Sequence, residues 1–296
     1  MSEINYKFIT IEGNIGSGKS TLLKKLKHEF ENKGYMVFLI DEPLERWEKC
    51  KDVNGQSKFE SFYKNRSGEA FSFQLYVQMT RIALINKVIE SVISYCRECD
   101  SPKPVVVLSE RSLQSGNLVF GNQLVSHGFL SQMENDDISR LCNELLIKVE
   151  PKNRASGYLV IALDTPPHVC LSRGNDRARK NESVSMELLQ DLDLYQMKMI
   201  VSWYNNKLQY CLPSINCGTE LVRFLSGNDN VDTIAQNVFN CFDNMETCNV
   251  SELKEKLKGD ILKSFARQVD SINKKVQFYN AFANDNVPCV DDLIID

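Results

Sequence analysis

The run Gly13-Asn14-Ile15-Gly16-Ser17-Gly18-Lys19-Ser20 constrains this chain more than any other feature. It fits G-x-x-x-x-G-K-[ST], in which glycines let successive backbone N–H groups turn inward around phosphate oxygens at a helix N-terminus. The flanks suit the motif. Phe8-Ile9-Thr10-Ile11 reads as a strand, and a helix opens at Lys19 and runs to about Asn32, with Gly34 as its stop. In such a loop Lys19 bridges the β- and γ-phosphates of a nucleoside triphosphate and the Ser20 hydroxyl ligates magnesium. Gly13 to Ser20, with Thr21 behind them, are therefore the candidate ATP-binding residues.

A glycine-rich turn between strand and helix belongs in an alternating α/β chain, and the rest of the sequence alternates accordingly. Met36 to Ile40, Val105 to Leu108, Leu159 to Leu163 and Leu221 to Leu225 read as further strands. The Val105 run is continuously apolar, as in a strand covered on both faces. Helical spacing of Phe73, Val77, Ile82, Ile85 and Ile89 predicts a long helix from Glu69 through Cys96. Further helices are expected over Leu113 to Val125, Asp137 to Val149, from Pro166-Pro167 onward, over Met186 to Gln209, and up to about Asn244. The expected architecture is an α/β phosphate-loop fold with a five-stranded parallel sheet flanked by helices. Residues 1–245 form the main domain.

Beyond Met245 the character changes. Asn249 and Glu252 have capping-box spacing, and Leu253, Leu257, Ile261, Phe265, Ile272 and Val276 make an apolar stripe flanked by lysines. Residues 246–296 are thus expected to be a C-terminal helical extension, with one amphipathic helix from Asn249 to about Tyr279 and an acidic tail. Gly259 opposes that helix by about 1 kcal/mol relative to alanine.

Composition limits the partners. A formal net charge of -4 offers no general reason for nucleic-acid or membrane binding, and no run of about 18 apolar residues suggests a spanning helix. Met1 to Lys7 shows neither the apolar stretch of a secretory signal nor the arginine content of an organellar one, so the cytosol is the expected compartment. The ten cysteines are scattered through apolar segments and read as small buried hydrophobes. Cys96-x-x-Cys99 has redox or zinc spacing, but it lacks a second pair or a nearby histidine.

A phosphate loop alone does not name a reaction. Three further clusters narrow it: Asp41-Glu42-Pro43 after the second strand, Glu110-Arg111-Ser112 after the third, and Arg173, Arg177 and Arg179 after the fourth-strand helix. In an open parallel sheet the carboxyl ends of the strands face the ligand crevice, so all three converge on the phosphate loop.

Together with the loop, the strings E-P-L-E-R-W, F-S-F-Q-L-Y, S-E-R-S and R-A-R-K-N-E resemble the deoxyribonucleoside kinases, in the same order over about Lys7 to Asn244. The resemblance implies phosphoryl transfer from ATP, with Mg2+, to the 5′-hydroxyl of a deoxyribonucleoside, in a homodimer subject to feedback inhibition by an end-product triphosphate. It implies Glu42 as general base, Glu110 as the acid near magnesium, and Arg111 as the arginine at the 5′-oxygen and transferred phosphoryl. It also implies Gln74 at the base edge and Tyr63 with Glu182 at the 3′-hydroxyl. It further implies that Trp47, Phe73 and Phe120 border the base and that Arg173, Arg177 and Arg179 form a lid. The chemistry agrees: a carboxylate assists a weak hydroxyl nucleophile, cations surround the moving phosphoryl, and an amide offers a donor and an acceptor together. Phe73 and Phe120 could equally be core residues.

Two departures bear on the base. Arg81 matches the arginine of the cytosine and purine kinases, where thymidine-using relatives carry methionine, yet the aspartate that usually accompanies it is Gly116 here, and Asn117 replaces a common arginine. Such an arginine needs another acceptor: Gln114, a purine edge or water. Arg81 would crowd a 5-methyl group while Gly116 reopens room, so deoxypurine or deoxycytidine is expected over thymidine. One alternative is a nucleoside monophosphate kinase, disfavoured because Glu42 would repel a phosphate on the 5′-oxygen. The other is a nucleotide-dependent binding module, which would normally carry N-K-x-D at a strand end.

Overall fold

The apolar run after Pro104 becomes a strand whose six residues are all buried, and the sheet is built outward from it and its neighbour. The computed structural model describes residues 6–99, 103–146, 155–177, 184–204, 220–245 and 258–259. Its strands are β1 (Tyr6–Gly13), β2 (Met36–Ile40), β3 (Val105–Glu110), β4 (Gly157–Asp164) and β5 (Glu220–Ser226). They form one parallel sheet in the order β2-β3-β1-β4-β5. The chain winds from β1 to one side and then to the other, so the crevice at the carboxyl end of β1 is the topological switch point. The phosphate loop starts there.

Alternation along β1 sorts two cores. Ile9 and Ile11 face α1 (Lys19–Asn32) and α10 (Val231–Asp243), where Leu22, Leu26, Phe30, Val238, Phe239 and Phe242 fill the layer. Tyr6 and Phe8 face the opposite layer, which includes Ile82, Ile85, Ile89, Ile138 and Ile200. That layer is built from α4 (Arg66–Glu98), α5 (Leu113–Ser115), α7 (Gln132–Leu145) and α9 (Met186–Tyr204), while α6 (Asn122–Ser126) packs into a third cluster with Trp47, Phe59, Phe62 and Phe73. Sheet and both helical layers therefore match the α/β architecture read from the sequence. Among the described residues no helix is long and apolar enough to cross a membrane.

Several boundaries differ from expectation for local reasons. The helix expected from Asp137 begins at Gln132, because Ser131 and Glu134 close a capping box one turn earlier. The segment expected as one helix over Leu113 to Val125 is interrupted by a π-helical turn, Gly116–Gly121. There the side chains of Gln78 and Asn135 press against the Gly116 and Gly121 α-carbons. Two short helices, α2 (Leu44–Lys49) and α3 (Lys58–Lys64), were not expected at all. The latter carries its own capping box from Ser57 and Glu60, a readable signal in S-x-x-E. The remaining helix, α8 (Pro167–Arg177), opens on proline as expected. The helix expected over Met186 to Gln209 is described only to Tyr204, and the C-terminal extension lies outside the described residues apart from 258–259.

Candidate active site

Each cluster at a strand end reaches a single cavity of about 710 Å3. Its phosphate-loop half is walled by Ile15, Gly16, Ser17, Gly18, Lys19, Ser20 and Thr21, together with Arg173 and Arg177 of α8. The other half is aromatic and rests on α2, α3 and α4. Trp47, Tyr63, Phe73, Gln74, Arg81, Gly116 and Phe120 line it, and Glu42, Glu110 and Arg111 also face the cavity. Of the remaining sequence-predicted residues, Gly13 and Asn14 sit at the root of the loop, and Arg179 and Glu182 lie outside the described residues.

The loop owes its shape to backbone that only glycine adopts without strain. Gly16 and Gly18 have φ of 78° and 98°, and a Cβ on Gly16 would run into the Cys170 carbonyl of α8. Asn14 ties the loop to α9, donating from Nδ2 to the Leu189 carbonyl at 2.7 Å. The Lys19 ammonium donates to the Asn14 carbonyl at 2.7 Å and stands 3.9 Å from Glu110. Burial pushes Lys19 down to about 8, helped by the Arg111 charge and opposed by Glu110 and Glu42. Ser20 donates its hydroxyl to Glu110 Oε2 at 2.9 Å. A hydroxyl and a carboxylate side by side make a hard-oxygen pair of the kind magnesium takes alongside phosphate oxygens. Arg173 is anchored, donating from Nη1 to the Gly227 carbonyl at 2.9 Å, whereas Arg177 ends α8 at the cavity wall.

Arg111 is the centre of the site. It is the one non-glycine residue with positive φ among the described residues, at 63°. A left-handed arginine is disfavoured by roughly 1–2 kcal/mol and persists only where its surroundings hold it. Here they do. Its N–H donates to the Ile11 carbonyl at 2.9 Å, and its own carbonyl accepts from Ser109 Oγ at 2.9 Å and Arg81 Nη2 at 3.0 Å. The next residue, Ser112, donates its N–H to Glu12 Oε1 at 2.6 Å. So held, the guanidinium donates to the Gly13 carbonyl at 2.6 Å and to Glu42 Oε1 at 3.1 Å, and lies over the Phe120 ring at 4.9 Å.

The structure bears on the expectations for Arg81 and Gly116. Arg81 finds acceptors in the protein for one of its nitrogens: Nη2 reaches the carbonyls of Glu110, Arg111 and Ser112 at 3.0 to 3.2 Å, Nη1 stands 3.9 Å from Glu42, and the buried Nε has no hydrogen-bond partner among the described residues. The acceptors proposed from sequence, Gln114, a purine edge or water, are not required for Nη2. Nor does Gly116 reopen room in the pocket. A side chain there would collide with the Gln78 carboxamide, so the space is already filled. The Gly116 carbonyl accepts from Gln74 Nε2, which orients that amide within the cavity wall.

The aromatic half is preassembled. Phe73 stacks on Phe62 with centroids 4.5 Å apart, and Trp47 meets Phe73 edge-on at 6.4 Å while donating its indole N–H to Thr80 Oγ1 at 2.9 Å. Phe73 is thus both packed and cavity-lining. Sequence reasoning did not find Phe59, Phe62, Arg66, Gln123 or Leu124, which complete this wall. It also missed Glu12. A lone acid directly after the apolar and hydroxyl run Phe8 to Ile11, still within the strand, was the available signal.

Glu12 is fully buried, with Oε2 lacking a hydrogen-bond partner. Burial raises its carboxyl above the ordinary 4.5, against the lowering effects of Arg111, the Ser112 bonds and Arg81. A raised carboxyl pKa means that the folded state holds the proton more tightly than the unfolded one. The resulting stability is present below the unfolded value and lost as pH rises through the folded one. Glu12→Gln keeps an oxygen for the Ser112 N–H but cannot ionise. Its melting temperature is expected to gain on the wild type as pH rises from about 4.5. A melting temperature of the variant minus that of the wild type that stays constant or falls over that range counts against a buried, proton-retaining Glu12.

The chain also has relatives. The family model described as deoxynucleoside kinase matches residues 9–249. Deoxycytidine kinase 2 of Gallus gallus is 30% identical over 223 residues, which cover 67% of this chain and 78% of that protein. The probable deoxycytidine kinase of fowlpox virus (strain NVSL) is 27% identical over 239 residues, covering 79% and 87%. The mitochondrial deoxyguanosine kinase of Xenopus laevis is 25% identical over 202 residues, covering 64% and 71%. The bases in these names differ, but the phosphotransfer is of one kind. With its phosphate loop, parallel sheet and aromatic cavity, the chain belongs to the deoxynucleoside kinase family.

Proposed function

We propose that this chain transfers the γ-phosphoryl group of ATP to the 5′-hydroxyl of a deoxyribonucleoside, with Glu42 as the general base. The observation that carries the reading is the position of Glu42. Its carboxylate is fixed by Arg111 Nε at 3.1 Å and faces the cavity that joins the phosphate loop to the aromatic wall. A nucleoside lodged among Trp47, Phe73 and Phe120 would present its 5′-hydroxyl there. The carboxylate would take the hydroxyl proton as the oxygen attacks. Lys19 and Arg111 would bear on the transferring phosphoryl from the protein side, with Arg177 and Arg179 on the lid side. Ser20 and Glu110 would hold magnesium, which supplies charge neutralisation at the β- and γ-oxygens when bound. Tyr63 and Glu182 would hold the 3′-hydroxyl.

For the base, the reading remains deoxycytidine or a deoxypurine over thymidine. Gln78 behind Gly116 keeps the wall close, which supports exclusion of a 5-methyl group. A homodimer fits the surface. Phe71 and Met79 of α4 and Met133, Leu141 and Leu145 of α7 are exposed apolar side chains on two helices that pack together.

An ADP-release assay over four deoxyribonucleosides, four ribonucleosides and dTMP tests the acceptor; thymidine as the best substrate by kcat/KM would refute the base preference. Glu42→Gln should bind nucleoside yet lose about a hundredfold or more in kcat. Near-wild-type turnover in that variant removes Glu42 as the base.

Lys19 gives a pH signature. Its lowered pKa means that the free protein loses the ammonium charge as pH rises through about 8, so kcat/KM for ATP is expected to fall above that point. A profile that is flat to well above pH 8 contradicts this. For assembly, a Leu141→Glu/Leu145→Glu double variant should shift the particle from dimer to monomer in sedimentation. An unchanged mass would move the interface elsewhere.

A further inference from the structure

Gln78 lies on α4 between Gln74 and Arg81, one helical turn from each, and is completely buried. Its Nε2 donates to the Leu113 carbonyl at 3.2 Å and to Asn117 Oδ1 at 2.9 Å, while Oε1 is buried without a partner. A buried, unpartnered carbonyl oxygen is costly, on the order of 1–3 kcal/mol, so packing alone does not favour glutamine at this position. What the carboxamide does instead is press on Gly116. A Cβ built there would collide with Cδ, Oε1 and Nε2 together.

Gly116 does not need to be glycine for its backbone. Its φ of -60° and ψ of -43° are ordinary right-handed values open to any L-residue. The obstacle to a side chain at 116 is therefore steric, and it is Gln78. On its other side Gly116 borders the cavity, and its carbonyl holds the Gln74 amide. The three form a stack from α4 to the pocket: Gln78, then Gly116, then Gln74 at the cavity wall.

We propose that Gln78 is a positioning residue that determines base specificity. It stands behind the wall, sets how far the turn at Gly116 intrudes into the pocket, and thereby fixes the Gln74 amide that meets the base. This rests on the reading above that the aromatic half of the cavity takes a nucleoside base. Shortening Gln78 lets the turn settle back, widening the pocket where a 5-methyl group would sit. Adding a methyl at 116 has the opposite effect as long as Gln78 keeps its length.

Six proteins test this: the wild type, Gly116→Ala, Gln78→Ala, Gln78→Met and the two double variants with Gly116→Ala. Gly116→Ala is expected to raise KM for deoxycytidine about tenfold, a coupling typical of residues in contact, with KM for ATP unchanged. In the Gln78→Ala background the same substitution should cost less than about threefold, because the methyl now has space. In the Gln78→Met background, which keeps the length but not the hydrogen bonds, the full loss should persist. Gln78→Ala alone should lower the ratio of kcat/KM for deoxycytidine to that for thymidine by about threefold or more.

Melting temperatures follow the same scheme independently of activity: Gly116→Ala destabilises the wild type and Gln78→Met but not Gln78→Ala. Equal effects of Gly116→Ala in all three backgrounds, or an unchanged base ratio in Gln78→Ala, overturn the proposal. If the wild type phosphorylates no deoxyribonucleoside, the reading of the cavity fails first and takes the proposal with it. The melting series would still report whether Gln78 and Gly116 are sterically coupled.

Discussion

The left-handed turn at Arg111 is the constraint on which the site depends. A bulky side chain at φ 63° is held there by the carboxyl end of β1 on one side and α4 on the other. Ile11 and Gly13 accept from its N–H and guanidinium, Glu12 accepts from the N–H of Ser112, and Arg81 ties down the carbonyls of residues 110 to 112. The strain is local, and the restraints come from the two elements that also carry the phosphate loop and the aromatic wall of the cavity. Any shift of β1 against α4 would be felt at Glu42 through Arg111 Nε.

Around that turn the charges are arranged so that burial is tolerable. Lys19, Arg81 and Arg111, all buried, are faced by the buried Glu110 and the half-buried Glu42, with Glu12 behind them, and backbone carbonyls satisfy much of what remains. Isolated buried ions would shift their pKa values until they neutralised, whereas a balanced group keeps most of its charge. The depressed Lys19 and the raised Glu12 mark where the compensation is incomplete. Lys19 is the group that an incoming polyphosphate would restore to full charge. Glu12 has no such partner within reach of the cavity, which suits a carboxyl that positions a turn more than one that meets substrate.

Much of the fold was legible because its signals are local. Buried parallel strands read as unbroken apolar runs, and the phosphate loop announces its own strand, turn and helix. All five strands lie where the sequence put them, and Glu42, Glu110, Arg111 and the loop do converge on one cavity. The short helices α2 and α3 were missed because six or seven residues hold too few periods for hydrophobic spacing to show. The π-helical turn was missed because its glycines lie against two side chains, Gln78 and Asn135, of helices distant in sequence, a proximity that the local sequence does not record.

Sequence alone determined the class of fold, the triphosphate loop and the set of acids and arginines at the strand ends, since each rests on residues close together in the chain. Only the tertiary structure decided what those residues do to one another. Arg81 could be read as an arginine in need of an outside acceptor, but three carbonyls from β3 and the turn after it take its Nη2 across 29 to 31 residues of sequence. Gly116 could be read as added space, but that space belongs to Gln78, 38 positions earlier. Volume and hydrogen-bond acceptors are shared between segments distant in sequence, and a one-dimensional reading has no means of knowing which segment takes them first.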